Sequence, residues 1–167
     1  MLEVSALCCT RGEREIFRDL SFVLADGQWV QIRGENGAGK TTLVHLIPRF
    51  FDPTQGSVRI DGVDVRQYRI RSLREKIAIV PQDAVLFSGT IGENLRYGRL
   101  DATDAQVQDA AKAAHAHEFV MRLPKGYDTA VAEAGGGLSG GERQRLSVAR
   151  AVLKDAPILI LDDTLLA

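Results

Sequence analysis

The sequence predicts an α/β fold, a parallel or mixed sheet covered by helices, from three observations. Short apolar runs such as KIAIV (76–80) and PILIL (157–161) are near-continuous instead of alternating, as strands buried on both faces are. They alternate along the chain with segments of helical period. A glycine-rich loop, residues 34–42, falls between one such strand and one such helix. With 167 residues, 45% hydrophobic and 26% charged, the chain can bury one sizeable core. Its 21 basic and 22 acidic residues leave a net charge of −1, which excludes a global field drawing it to nucleic acid or anionic lipid. No apolar run approaches the roughly 20 residues of a spanning helix, and the first residues lack a signal-peptide pattern. A soluble, cytoplasmic chain is expected.

Taken in order, the adjacent Cys8 and Cys9 fit neither a disulfide framework nor a zinc pair and read as buried small residues. FRDLSFVLADGQWVQIR (17–33) reads as a hairpin turning at Asp26-Gly27 into a core strand, with Trp29 as packing. Residues 43–51 read as helix up to Pro48, DPTQG as a breaker, SVRIDG as strand then turn, and KIAIVPQ as a buried strand ended by proline. The spacing predicts one long helix over 104–123, opened by a capping box of Thr103 and Gln106. A further helix is expected from Ser139, and PILIL as a fully buried strand. The middle, roughly 83–147, is mainly helical and reads as an inserted subdomain.

The strongest signal is GENGAGKTT: Gly34, Glu35, Asn36, Gly37, Ala38, Gly39, Lys40, Thr41 and Thr42. It matches G-x-x-x-x-G-K-[ST], the phosphate loop also called Walker A. Its glycines let backbone amides turn inward around phosphates, and the following helix adds its positive end. Lys40 supplies a point charge to the β/γ-phosphates, and the Thr41 hydroxyl is a candidate Mg²⁺ ligand. ILILDD, a buried strand emerging as two acids, suits a second Mg²⁺ ligand at Asp162. Asp163 is then the candidate that accepts a proton from, or orients, the water attacking a γ-phosphate.

GGGLSGGERQR (135–145) is glycine-dense and then helical, and Ser139 with Glu142 again has capping-box spacing. A helix start carrying Ser139, Gly140 and Gly141 is a candidate anion site. Because the phosphate loop serves this chain's own nucleotide, its simplest use is a nucleotide held by another copy, two half-sites closing head to tail.

GENGAGKTT, Gln82 in IVPQD, LSGGE and ILILDD, in this order and spacing, resemble the nucleotide-binding domain of ATP-binding cassette (ABC) proteins over essentially the whole chain. The resemblance implies a P-loop NTPase fold: a RecA-like mixed-sheet core with N-terminal antiparallel β elements and an inserted helical signature-motif subdomain. The core is placed at 1–82 and 148–167, the helical subdomain at 83–147. It implies ATP and Mg²⁺ as cofactors, two such domains sandwiching two ATP molecules, and a transmembrane partner that places the chain at the cytoplasmic face of a membrane. Gln82 is implied as a catalytic residue and a third Mg²⁺ ligand, in the loop that senses Mg²⁺ and the γ-phosphate and contacts the membrane subunit. Within the family, IPRFFDPTQGSVRIDGVDV, IVPQDAVLFSGTIGENLRYG and LPKGYDTAV resemble lipid, peptide and metal-tolerance exporters. The opening 41 residues, MLEVSA through GENGAGKT, instead resemble the separate ATPase subunit of the haem exporter of cytochrome c maturation.

Several positions depart from the family pattern. Arg11 stands where a tyrosine commonly stacks on adenine; a planar guanidinium can also stack on a base. Ala132, Glu133, Ala134 and Gly135 keep an acid but lack the usual arginine. Asp163 replaces the usual catalytic glutamate and is one methylene shorter, so ATP binding with slow hydrolysis is expected. Relative to the family the chain reads as C-terminally truncated, without a later strand and switch histidine, leaving an exposed sheet edge. His45, His115 and His117 read as surface residues that do not replace it. The basic run Arg66, Arg69, Arg71, Arg74 and Lys76 reads as a solvated face, so no nucleic-acid partner is expected. An ABC-type ATPase acting on nucleic acid or ribosomes, or an ATP-binding fragment without turnover, are the alternatives.

Overall fold

The computed structural model describes residues 1–35, 37–132 and 135–162. The chain divides into two compact units, Met1–Glu75 and Lys76–Ala167.

The first unit opens with β1 (Leu2–Arg11) and β2 (Arg14–Leu24), an antiparallel hairpin closed at Gly12 and Glu13. The hairpin therefore lies one strand earlier than the Asp26-Gly27 signal implies. Asp26 and Gly27 do form a turn, closed by the Gln28 N–H on the Ala25 carbonyl at 3.2 Å, but residues 28–35 beyond it form no strand. Strands persist by pairing, and among the described residues no strand ladder includes 29–33. Trp29, expected in packing, is 83% exposed.

β1 went unread because its alternation slips. Leu2 and Val4 are buried, then Leu7 and Cys9, with Ala6 inserted between the two pairs at φ 45°. The slip is a β-bulge: the register with β2 shifts between Val4 and Leu7. Ser21 Oγ accepts the Ala6 N–H at 2.8 Å, and Asp19, at φ 52°, gives its N–H to Cys8 Sγ at 3.4 Å. Cys9 is buried as expected; Cys8 is only half-buried.

After α1 (Lys40–Leu46) the chain returns as β3 (Gln55–Ile60), turns at Asp61 and Gly62, and adds the short β4 (Val63–Asp64), giving the sheet order β2-β1-β3-β4. Gly56 of β3 faces the bulge at φ +85°, and a Cβ there would collide with the backbone of Ser5 and Ala6. A 3₁₀ turn capped by Asp64 and then α2 (Ile70–Glu75) end the unit.

The second unit begins with β5 (Ile77–Val80) and continues through β6 (Gly89–Thr90), α3 (Ile91–Arg96), α4 (Asp104–Ala113), α5 (His117–Arg122), β7 (Ala130–Val131), α6 (Gly140–Lys154) and β8 (Ile158–Leu161). β5 and β8 pair in parallel; β6 and β7 pair antiparallel. Leu86, Ile91, Leu95, Val107, Phe119, Val120, Leu146 and Leu153 form the core among the helices. Ala151 of α6 packs on Ala78 and Val80 of β5.

The expected long helix is two. Its capping box of Thr103 and Gln106 is present, but His115 takes a left-handed conformation at φ 52°. The Ala116 N–H reaches the Ala111 carbonyl at 2.7 Å and the His115 N–H reaches Lys112 at 3.0 Å, which is a Schellman end. Ala116, fully buried, seals it against the core. β8 also departs from expectation: only Ile160 is buried, while Leu159 and Leu161 are 50% and 42% exposed, because among the described residues β8 pairs with β5 alone. Among these residues no helix is long and apolar enough to cross a membrane.

The Gly56 contact yields a comparison. Gly56→Ala adds a backbone collision to the left-handed strain and should cost about 3 kcal/mol or more. Gly62→Ala, at φ +79° with open space around it, should cost only about 1 kcal/mol. Urea melts of the two variants check the difference.

Candidate functional site

The first unit carries the phosphate loop. Gly37 and Gly39 sit at φ +83° and +90°, a region that side chains resist, and a Cβ on Gly39 would run into Ile16. α1 starts directly after Gly39 with no side chain capping it. Its first-turn amides are thereby turned outward, the arrangement that receives an anion. The Ala38 N–H closes the loop on the Glu35 carbonyl at 3.1 Å, and Arg14 Nη2 donates to the Gly37 carbonyl at 3.3 Å. The half-buried Lys40 gives its ammonium to the carbonyls of Gly34 at 2.8 Å and Glu35 at 3.3 Å. No carboxylate among the described residues pairs with Lys40, so its charge is held in the loop and not neutralised. These donors fit a polyphosphate. Thr41 is exposed, while Thr42 is buried. Asn36 lies outside the described residues.

A cleft of about 360 Å³ opens beside Gly39 and Lys40, walled by Phe17, Phe22, Ile32 and Leu43 among others. Its lining is chiefly apolar, so no phosphate is assigned to it. The guanidinium of Arg11, expected to stack on a base, lies 4.9 Å over the Phe51 ring. One face of its plane is thus taken; a base would have to use the other.

In the second unit the strand register brings two candidates together. Val80 pairs with Leu161, and the Asp162 N–H donates to the Val80 carbonyl at 2.9 Å. Gln82 and the buried Asp162 therefore emerge from the same carboxyl-terminal end of two neighbouring parallel strands, the end at which ligands bind open α/β sheets. Asp163 lies outside the described residues.

At the start of α6 the capping box is complete. Ser139 Oγ accepts the Glu142 N–H at 3.3 Å, and the Glu142 carboxylate takes the Ser139 N–H and hydroxyl, each at 2.8 Å. These bonds from Ser139 hold the Glu142 carboxyl below the usual carboxylate range. Ser139, Gly140 and Gly141 are all exposed, and the two glycines leave their amides unobstructed. Glu133 and Ala134 lie outside the described residues. Gln144, farther along α6, donates to the Pro81 carbonyl at 3.3 Å, which ties this helix to the residue before Gln82.

Sequence reasoning did not single out Asn94 and Arg150. Asn94 is buried; its amide oxygen accepts the Phe87 N–H, and its Nδ2 donates to the carbonyls of Phe87 and Thr90. Arg150 of α6 donates to the carbonyls of Asn94 and Val85 at 3.0 and 3.1 Å. Burial pushes its guanidinium below its ordinary basicity. The one available signal was an arginine amid the apolar residues of a helix.

The histidines differ from expectation in two cases. His115 is exposed, but His45 is half-buried with its ring 5.1 Å from that of Phe50, and His117 is half-buried with Nδ1 2.8 Å from the Tyr127 hydroxyl. The basic run is largely engaged: Arg66 forks onto Asp64, Arg71 meets Glu75, and Arg74 donates to the Pro48 carbonyl and covers Phe50.

Comparison with known proteins extends these observations. The family described as "ABC transporter" matches residues 17–165. An ATP-dependent lipid A-core flippase of Burkholderia pseudomallei is 52% identical over 92% of this chain and 26% of its own length. A second flippase of that description, from Syntrophus aciditrophicus, is 46% identical over 97% of the chain and 27% of its own length. A solved bacterial Atm1-family ABC exporter with ATP bound superposes with a TM-score of 0.94 at 46% identity, covering 99% of this chain and 29% of that one. The chain thus spans about a quarter of the length of the curated relatives it matches. A flippase aligned over 97% of the chain leaves no separate opening segment, so the expected link to cytochrome c biogenesis is not supported.

The capping box at Ser139 generates a pH prediction. Ser139→Ala should cost about 1 kcal/mol at neutral pH. Because the Glu142 carboxyl is depressed in the folded state, its contribution is present above the unfolded value of about 4.3 and fades as pH falls through the lower folded one. Glu142→Gln should therefore flatten the acid limb of the stability curve. Thermal melts of parent and variant between neutral pH and the acid range check this.

Proposed function

The chain belongs to the ABC transporter family, and from that premise we propose that it binds ATP with Mg²⁺ and hydrolyses it as the nucleotide-binding domain of an ABC exporter. The observation that carries the reading is the uncapped start of α1 beneath Gly37 and Gly39, with Lys40 poised on the carbonyls of Gly34 and Glu35. Outward amides and one unneutralised ammonium are what a triphosphate requires. Thr41 and Asp162 would hold Mg²⁺, which neutralises charge building on the phosphates when bound. Gln82, emerging beside Asp162, would orient the metal's water shell and the attacking water. In this reading Asp163 accepts the proton from that water. The core spans 1–82 and 148–167, and 83–147 is the helical subdomain.

The site is half a site in this reading. Ser139, Gly140 and Gly141 would meet the ATP held by a second ATPase domain, packed head to tail. The hydroxyl of Ser139 is already committed to Glu142, which leaves backbone amides as the donors offered to that phosphate. The exposed Val85, Phe87 and Tyr97, the last two with rings 4.7 Å apart, would meet a transmembrane partner at the cytoplasmic face of a membrane. Relatives described as lipid A-core flippases and the Atm1-family exporter support export as the direction of transport. Arg11 would offer its free face to adenine.

Two substitutions test the reading. Lys40→Ala should weaken Mg·ATP binding at least about tenfold, the loss of one charge-assisted contact; equal affinity by calorimetry would sink the proposal. Asp163→Glu should raise phosphate release, since recovering about one ångström of reach can restore on the order of a hundredfold in rate. Single-turnover phosphate release measures the effect.

A further inference from the structure

We infer that Arg150 and Gln144 are positioning residues for Gln82, clamping the segment that carries it to the same helix whose start is the candidate site for a second nucleotide. The inference rests on the reading of Gln82 given above.

The segment between β5 and β6 has no regular structure of its own between Pro81 and Ser88. Its backbone must then be held by something else. Two side chains of α6 grip it on either side of Gln82. Gln144 Nε2 donates to the Pro81 carbonyl at 3.3 Å, one residue before. Arg150 Nη1 donates to the Val85 carbonyl at 3.1 Å, three residues after.

Arg150 does more than touch the segment once. Its Nε donates to the Asn94 carbonyl at 3.0 Å and its Nη2 to the Asn94 amide oxygen at 3.3 Å. The same amide oxygen accepts the Phe87 N–H at 2.8 Å, while Asn94 Nδ2 donates to the Phe87 carbonyl at 2.8 Å. The guanidinium also lies 5.5 Å from the Phe87 ring centre. One arginine thus ties α6, α3 and the Gln82 segment into a single hydrogen-bonded knot. The acceptors named here are neutral, so the fork geometry of the guanidinium, more than attraction to a carboxylate, fixes the arrangement.

The consequence is a mechanical link within one chain. Ser139 is five residues before Gln144 on a continuous helix, about 7 Å along its axis. A displacement of the Ser139 end on meeting a nucleotide would reach Gln82 through Gln144 and Arg150 without passing through solvent. Gln82 is placed by α6 and not by its own loop.

Hydrogen exchange on the full chain tests this, with Arg150→Gln and the more exposed Gln144→Ala as separate variants. Each should speed exchange in residues 82–90 about tenfold, the worth of a lost charge-assisted bond for the first and somewhat less for the second. Peptides from α4, α5 and β7 should be unchanged. Phosphate release should fall while Mg·ATP affinity, carried by the phosphate loop, stays as in the parent. A rise spread evenly over every peptide from Lys76 onward in Arg150→Gln, with no local rise in Gln144→Ala, would show a merely structural role and overturn the inference. So would unchanged exchange at 82–90 in both. Failure of the parent chain to bind Mg·ATP would instead sink the proposed function, and the exchange pattern would still decide the clamp.

Discussion

The parallel pairing of β5 with β8 is the constraint on which the second unit is built. Its register, Val80 opposite Leu161, is fixed by bonds at both ends: the Ile158 N–H on the Lys76 carbonyl and the Asp162 N–H on the Val80 carbonyl. A slip of one residue would turn Ile160 out of the core and Asp162 away from the end of the sheet. The pairing also sets the platform for α6, which lays Ala151 against Ala78 and Val80 and donates Lys154 Nζ to the Ile77 carbonyl at 2.6 Å. The point at which the chain leaves β5 toward Gln82, the position of Asp162 and the seating of α6 follow from one four-residue ladder.

The first unit solves a different problem. A phosphate loop presents backbone, so its chemistry depends on conformations that most residues refuse, and Gly37 and Gly39 supply them. The ammonium of Lys40 is pre-aimed by two carbonyls of the same loop. Less side-chain freedom then remains to be lost when an anion arrives. That is preorganisation written in main-chain atoms, and it explains why nine consecutive residues carry so much of the functional signal.

What could be read from the sequence was what is local. The capping boxes at Thr103 and Ser139 depend on residues three apart, and both stand as expected. β5, α1 and the turn at Asp61-Gly62 are likewise marked by neighbours. The misreadings have one physical origin: they depend on partners distant in sequence. The bulge at Ala6 is defined by Ser21 and Gly56. The break at His115 is sealed by burial of Ala116, which no helical periodicity announces. Trp29 and Leu159 look like core residues in composition, and only the strand pairings decide that they are exposed. The phosphate loop and the ends of β8 and α6 were legible because their chemistry is encoded contiguously. Asn94 and Arg150 were not, since their acceptors are backbone carbonyls that any residue provides.

The irregularity in β1 reaches beyond one strand. Its register shifts against β2 between Val4 and Leu7 and against β3 between Ser5 and Cys8, so both neighbours break step at the same level. Removing Ala6 would leave Leu2, Val4, Leu7 and Cys9 in strict alternation, still on one face. The extra residue therefore serves shape and not burial. The sheet bends at this level, pinned by a glycine on one side and a serine hydroxyl on the other. β1 breaks step with β2 again between Leu7 and Thr10, so the end of the hairpin that carries Arg14, the donor to the phosphate loop, is the most strongly coiled part of the pair.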